Sequence, residues 1–112
     1  MALEQEVKRG SAELAILAVL SRKNLHGYEI SRQIELQTEG TLSFDMASLY
    51  PMLYRLERQG FIKGQWETVP NGRRRRRCYQ LTLEGKKRLQ PLRKQWKLFF
   101  EALDALAGVS HA

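Results

Sequence analysis

The 112-residue chain has a single cysteine, Cys78, so no disulfide can form within it. Its only histidines, His26 and His111, lie far apart in sequence. One thiol and two distant imidazoles do not supply the ligand set of a zinc site, and His26 reads as a structural or helix-capping residue. No apolar run approaches the roughly 18 residues of a membrane span. The opening Met1-Ala2-Leu3-Glu4-Gln5-Glu6 lacks the basic-then-apolar order of a signal peptide. These features lead us to expect a cytoplasmic protein. Glycine-rich phosphate loops, a nucleophile with its base, and paired carboxylates are also missing, so neither an enzyme nor a cofactor is expected.

What the chain does have is positive charge gathered in one place. The net charge is +7, yet residues 73–97 hold 11 Lys+Arg against one acidic residue, and residues 1–72 are close to neutral. Five of those charges are the consecutive run Arg73 to Arg77. A local basic patch is the footprint of a polyanion, most often nucleic acid. The plain alternative is a solvated basic face without a partner.

Periodicity predicts three helices, a hairpin and a long last helix. The first runs over 11–22 with Ser11 as N-cap, and its Leu14 to Leu20 stretch is apolar on every side. Such a helix needs cover on more than one face, and a second subunit is a natural source. A second helix over 27–37 carries Tyr28, Ile30, Ile34 and Leu36. The third runs from Asp45 as N-cap to Gln59, with Gly60 as its stop and Pro51 disturbing its first turn. Residues 61–69, the turn Pro70-Asn71-Gly72 and residues 73–82 read as a β-hairpin. Thr82 caps the last helix, which reaches Leu106 before Gly108 and is expected to bend at Pro91. This order gives an α+β winged helix-turn-helix, with a DNA-binding unit over 1–82 and a dimerisation helix over 83–112.

Leu49, Met52, Leu53 and Leu56 share one face of the third helix. Ser48, Tyr50, Tyr54, Arg55 and Arg58 then fall outside the core stripe, where they can reach base edges and phosphates. On the hairpin, alternation sends Arg73, Arg75 and Arg77 one way and Arg74 and Arg76 the other. Two or three of them can touch DNA, and the rest are solvated or pair with acids such as Glu67. Cys78 reads as a strand residue at the wing base, with a redox-sensing thiol as the alternative. In the last helix, Leu89, Leu92, Trp96, Phe99, Phe100, Leu103 and Leu106 form a heptad-like seam. With Leu14 and Leu17 of the first helix, it predicts a homodimer. Trp96 would then stand near its counterpart across the two-fold axis. Phe99, Phe100 and Leu92 would wall a gap suited to a small planar hydrophobic effector. A closed dimer core in which Trp96 only packs is the alternative.

Several segments together resemble the PadR family of transcriptional regulators. They are Arg9 to Leu14, Leu25 to Ile30, Ser48 to Glu57, Gly60-Phe61-Ile62 and Asn71 to Thr82. The resemblance covers nearly the whole chain and points to the short branch with one C-terminal helix. It implies a homodimer held by that helix, bound to a palindromic double-stranded operator, usually as a repressor. Some members of that branch hold flat aromatic ligands between subunits, and Trp96 falls where they place a pocket tryptophan. Pro91 departs from the family pattern, as does Cys78, which stands where an aromatic is common. Two competing readings stay open. One is a winged helix used for protein contacts. The other is a nonspecific or RNA-binding basic protein, for which Trp66 and Tyr79 would have to form a stacking platform.

Overall fold

A computed structural model of the chain describes residues 2–69, 72 and 75–108, with side chains from residue 10 onward. The order is α1 (Ala2–Leu20), β1 (Leu25–His26), α2 (Gly27–Gln37), α3 (Met46–Arg58), β2 (Ile62–Thr68), β3 (Arg75–Leu81) and α4 (Leu83–Ala107). The strands form one antiparallel sheet in the order β1-β3-β2. This is the expected α+β winged helix-turn-helix.

Local chemistry explains most of the boundaries. The Asp45 carboxylate accepts the Ser48 N–H at the start of α3, and the Thr82 hydroxyl accepts the Gly85 N–H at the start of α4. Gly60, at φ +81°, turns the chain out of α3 in the left-handed region, and the Phe61 N–H bonds back to the Leu56 carbonyl. Both α3 and α4 continue as single helices through Pro51 and Pro91. Helix α1 begins nine residues before the expected start, so Ser11 lies inside it. Residues 2–9 are nearly all good helix formers, and Gly10 alone is too weak a break to stop them.

The core corrects the expectation that α1 needs a second subunit. Ala12, Ile16, Leu17, Val19 and Leu20 are buried within one chain, covered by α2, α3, α4 and β3. Leu89 and Leu92 join the same cluster as Leu17, Ile30, Leu53 and Tyr79. Leu17, Leu89 and Leu92 therefore close the protomer's own interior, and the core crosses the expected boundary at residue 82. The cause is geometric. The first three turns of α4 lie against α1, where Arg88 Nε donates to the Glu13 carboxylate at 2.9 Å and Nη2 donates at 3.2 Å. In α2, Ile30 and Ile34 are buried, while Tyr28 and Leu36 face solvent.

Two joints set the wing. At its base, the Phe61 carbonyl accepts the Thr82 N–H at 3.1 Å, and the Thr82 hydroxyl donates to the Gly60 carbonyl at 2.6 Å. The first turn of α4 rests on this joint so closely that a Cβ on Gly85 would stand 2.1 Å from the Phe61 oxygen. Further out, the Arg77 guanidinium lies across Gly64 and pairs with Glu57 of α3. Helix propensity alone would make Gly85→Ala stabilising by about 1 kcal/mol. We expect the opposite, a loss of about 1–3 kcal/mol from the overpacked joint, measured as a lower thermal midpoint. A midpoint that stays or rises would show that the Phe61 carbonyl can yield.

Candidate nucleic-acid interface

Helix α3 presents Ala47, Ser48, Tyr50, Pro51, Tyr54, Arg55 and Arg58 to solvent, opposite buried Leu49, Leu53 and Leu56. Tyr54 is 65% exposed despite its large apolar ring, and the Arg58 guanidinium stands 5.7 Å from its centroid. That contact orders an arginine without neutralising it. Ser48 sits in the first turn, where its short side chain leaves the helix end open to close approach.

Beside this face rises the wing. Arg75 and Arg76 are exposed on β3, whereas Arg77 is partly buried. Arg73 and Arg74 lie outside the described residues, as do Pro70 and Asn71 of the turn. Alternation along β3 holds as expected, with Tyr79 and Leu81 turned inward. The acid that takes an arginine is Glu57 of α3, not Glu67 of the wing. Its carboxylate raises the Arg77 pKa further, chiefly through the direct hydrogen bond. Glu67 is instead engaged by the His26 ring, at 2.9 Å from Nε2. Among the described residues, no ion pair engages Arg55, Arg58, Arg75 or Arg76.

Aromatic residues complete the surface, and two of them were not read as part of it from the sequence. Trp66 is 56% exposed on β2, with the Arg75 and Arg77 guanidinium carbons 5.6 and 5.2 Å from its ring. Tyr28, at the start of α2, is equally open. Together with Tyr50, Arg75 and Arg76 they line a hollow of about 280 Å³ between the wing, α2 and α3. The available signal for Trp66 was the hairpin register, which sets it opposite Arg77; Tyr28 sits on α2 and had none. Trp66 and Tyr79 do not make a stacking platform, because Tyr79 is buried beneath the wing, and that burial raises its pKa.

His26 occupies the N-cap position of α2, as expected. The Glu29 carboxylate reaches back to accept its backbone N–H at 2.8 Å and also meets ring Nδ1 at 2.6 Å. Those bonds hold the Glu29 pKa below the usual carboxylate range. Cys78 is partly buried, and burial, with Glu67 adding to it, raises its thiol pKa.

On α4, Trp96 is half-buried against Gly10 of α1. Its ring meets Phe99 edge-on at 5.8 Å and Phe100 at 5.7 Å. Trp96 and Phe100 line an almost wholly apolar cavity of about 240 Å³ with Leu14, Ala18, Ile34 and Leu42. Phe99 faces a second hollow with Gly10, Leu92 and Gln95. Beyond them, Leu98, Phe99, Phe100, Leu103 and Leu106 are exposed. No helix among the described residues is long and apolar enough to cross a membrane.

Known proteins share this arrangement. The chain is 31% identical over 102 residues to an uncharacterised protein of Lysinibacillus sphaericus, covering 91% of this chain and 93% of that one. It is 31% identical over 96 residues to the transcriptional regulator YqjI of Escherichia coli, covering 86% of this chain but 44% of the longer relative. A solved transcriptional regulator from Clostridium thermocellum superposes with a TM-score of 0.82 at 29% identity, covering 91% of this chain and 98% of its own. Residues 16–91 match the model of the transcriptional regulator PadR-like family. That match, over more than half of the chain and on a fold shared almost end to end with a solved transcriptional regulator, places this chain in the PadR-like family, as a DNA-binding regulator of transcription and not an enzyme.

Proposed function

We propose that the protein represses transcription by binding a palindromic operator as a homodimer. In this reading, α3 enters the major groove and the wing lies along the flanking backbone. The observation that carries it is that Arg55 and Arg58 of α3 and Arg75 and Arg76 of the adjoining wing are exposed and join no ion pair among the described residues. Ser48, Tyr50 and Tyr54 are the base-reading candidates, and Arg73 and Arg74 extend the wing. Exposed arginines gathered in this way favour a polyanion over a protein-contact module. The homodimer reading rests on the outer half of α4, where Phe99, Leu103 and Leu106 recur on one exposed face. Burying side chains of that size contributes roughly 1.5–3 kcal/mol each before the costs of association. Of the expected dimer residues, Leu14, Phe99, Leu103 and Leu106 remain candidates. The effector reading gains support from the apolar cavity beside Trp96 and Phe100, which the fold sets between α1, α2 and α4 of one chain.

Selection from a random duplex pool should recover inverted half-sites whose centres lie about 34–36 Å apart or a multiple of that. Replacing Arg74, Arg75 and Arg76 with alanine should weaken binding to every sequence and flatten the salt slope by roughly one unit per lost phosphate contact. Replacing Ser48 or Tyr54 should change sequence preference instead. Equal affinity for selected and scrambled duplexes would refute operator recognition, and an unchanged slope in the triple variant would remove the wing from the backbone.

Sedimentation should give a dimer at micromolar concentration. Leu103→Asp should shift it to the 13.0 kDa monomer and abolish tight operator binding.

With Trp66 replaced by phenylalanine, Trp96 is the only indole. Planar aromatic compounds should then quench its emission saturably and lower operator affinity, and a smaller side chain at Trp96 should abolish both effects. A panel that moves neither readout would leave Trp96 a packing residue.

A further inference from the structure

Three strands bring together side chains that the sequence holds far apart. Strand β3 lies in the middle, and Cys78 stands opposite His26 of β1 on one side and Gln65 of β2 on the other. Glu67, two residues beyond Gln65, projects from the same face. The nearest ligand atoms of His26, Glu67 and Cys78 all lie within 4.8 Å of one another. We propose that these three residues bind one divalent transition-metal ion of the zinc class, clasping the wing to the start of α2.

The chemistry of the set favours such an ion. Sulfur, imidazole nitrogen and one carboxylate suit zinc or cobalt, whereas calcium and magnesium need an all-oxygen cage. Ligands sit about 2.0–2.3 Å from zinc, so tetrahedral neighbours stand roughly 3.3–3.8 Å apart. His26 Nε2 and Glu67 stand 2.9 Å apart, so they would part by about half an ångström as the thiol side closes by about an ångström. The Glu67 side chain is half exposed and free to adjust. Three protein ligands leave a fourth position for water.

A second observation concerns orientation. A metal-bound histidine usually gives its other ring N–H to a carboxylate, which fixes the tautomer and aims the free lone pair at the ion. Glu29 does this for His26 before any metal arrives, holding Nδ1 at 2.6 Å, while Nε2 gives its own proton to the Glu67 carboxylate at 2.9 Å and would exchange it for the ion. Glu29 is itself anchored by the His26 backbone N–H. Binding would convert the Cys78 thiol to a thiolate, with its proton passing to solvent. The proton that Nε2 of His26 now gives to Glu67 also leaves to solvent, so the two charges of the ion are balanced by two released protons. Arg76, on the same face of β3, opposes the ion, while Glu29 and Glu67 favour it. Arg76 is exposed and can turn outward.

Metal binding to the full chain is measured without DNA, so its outcome is separable from the operator reading. Cobalt(II) titrated into metal-free protein should produce a thiolate-to-cobalt charge-transfer band that saturates at one ion per chain, and zinc should displace it. Cys78→Ser should abolish the band with the circular dichroism spectrum unchanged. Glu67→Gln, at a half-exposed position and with the circular dichroism spectrum unchanged, should weaken zinc on the order of tenfold or more, and Glu29→Gln by about 10–100-fold. His111→Ala should change nothing. A titration without the band, or zinc affinity equal in the parent and in Cys78→Ser and Glu67→Gln, would overturn the proposal.

Discussion

The guanidinium of Arg77, laid over Gly64 to meet Glu57, is the contact on which the binding surface depends. A two-stranded hairpin has little stability of its own in water. Here its base is fixed by the ladder to β1 and by the Thr82 joint, and its middle by this ion pair to α3. Glu57 is on the recognition helix, so wing and helix are tied directly to each other. The angle between wing and helix is thereby set within the fold itself. Gly64 is what permits it, since a Cβ there would stand 2.5 Å from Arg77 Nε. Arg77 is thereby turned from solvent to the inside of the wing, unlike exposed Arg75 and Arg76.

Local signals were the legible part of the fold. Asp45, Gly60, Thr82 and Gly108 mark helix ends because capping needs only nearby atoms. The core face of α3 followed from its apolar spacing. Contacts between distant segments were harder to read. A stripe on α4 shows that something covers it, not whether the cover comes from its own chain. Leu89 and Leu92 met α1, and only the outer residues stayed open. The two-residue strand β1 carries no period at all, and its pairing with β3 is visible only once the chain has folded.

The same limit governed the site. Exposure of Tyr54, Arg55 and Arg58 followed from the helical period, and exposure of Arg75 and Arg76 agrees with a basic wing. Which acid would take an arginine did not follow, because Glu57 and Glu67 are both reachable from a strand whose neighbours are unknown. His26 was read correctly as a cap. Its closeness to Glu67 and Cys78 could not be seen, because the three positions span 52 residues and meet only across the sheet.

Helix α4 has two unequal duties along one rigid rod. Its inner turns are clamped to α1 by Arg88 and Glu13, while its outer turns project beyond that clamp. From Leu92 to Leu106 the rod is about 20 Å long at 1.5 Å per residue. The cavity beside Trp96 sits next to the pivot and not at the free end. A tilt of about 10° at the pivot carries the tip through roughly 3–4 Å on that length, more than the width of a side-chain contact. A ligand in that space, as proposed above, would have its effect geometrically amplified at the far end. A second copy resting there would then be moved by a lever whose pivot lies beside the cavity.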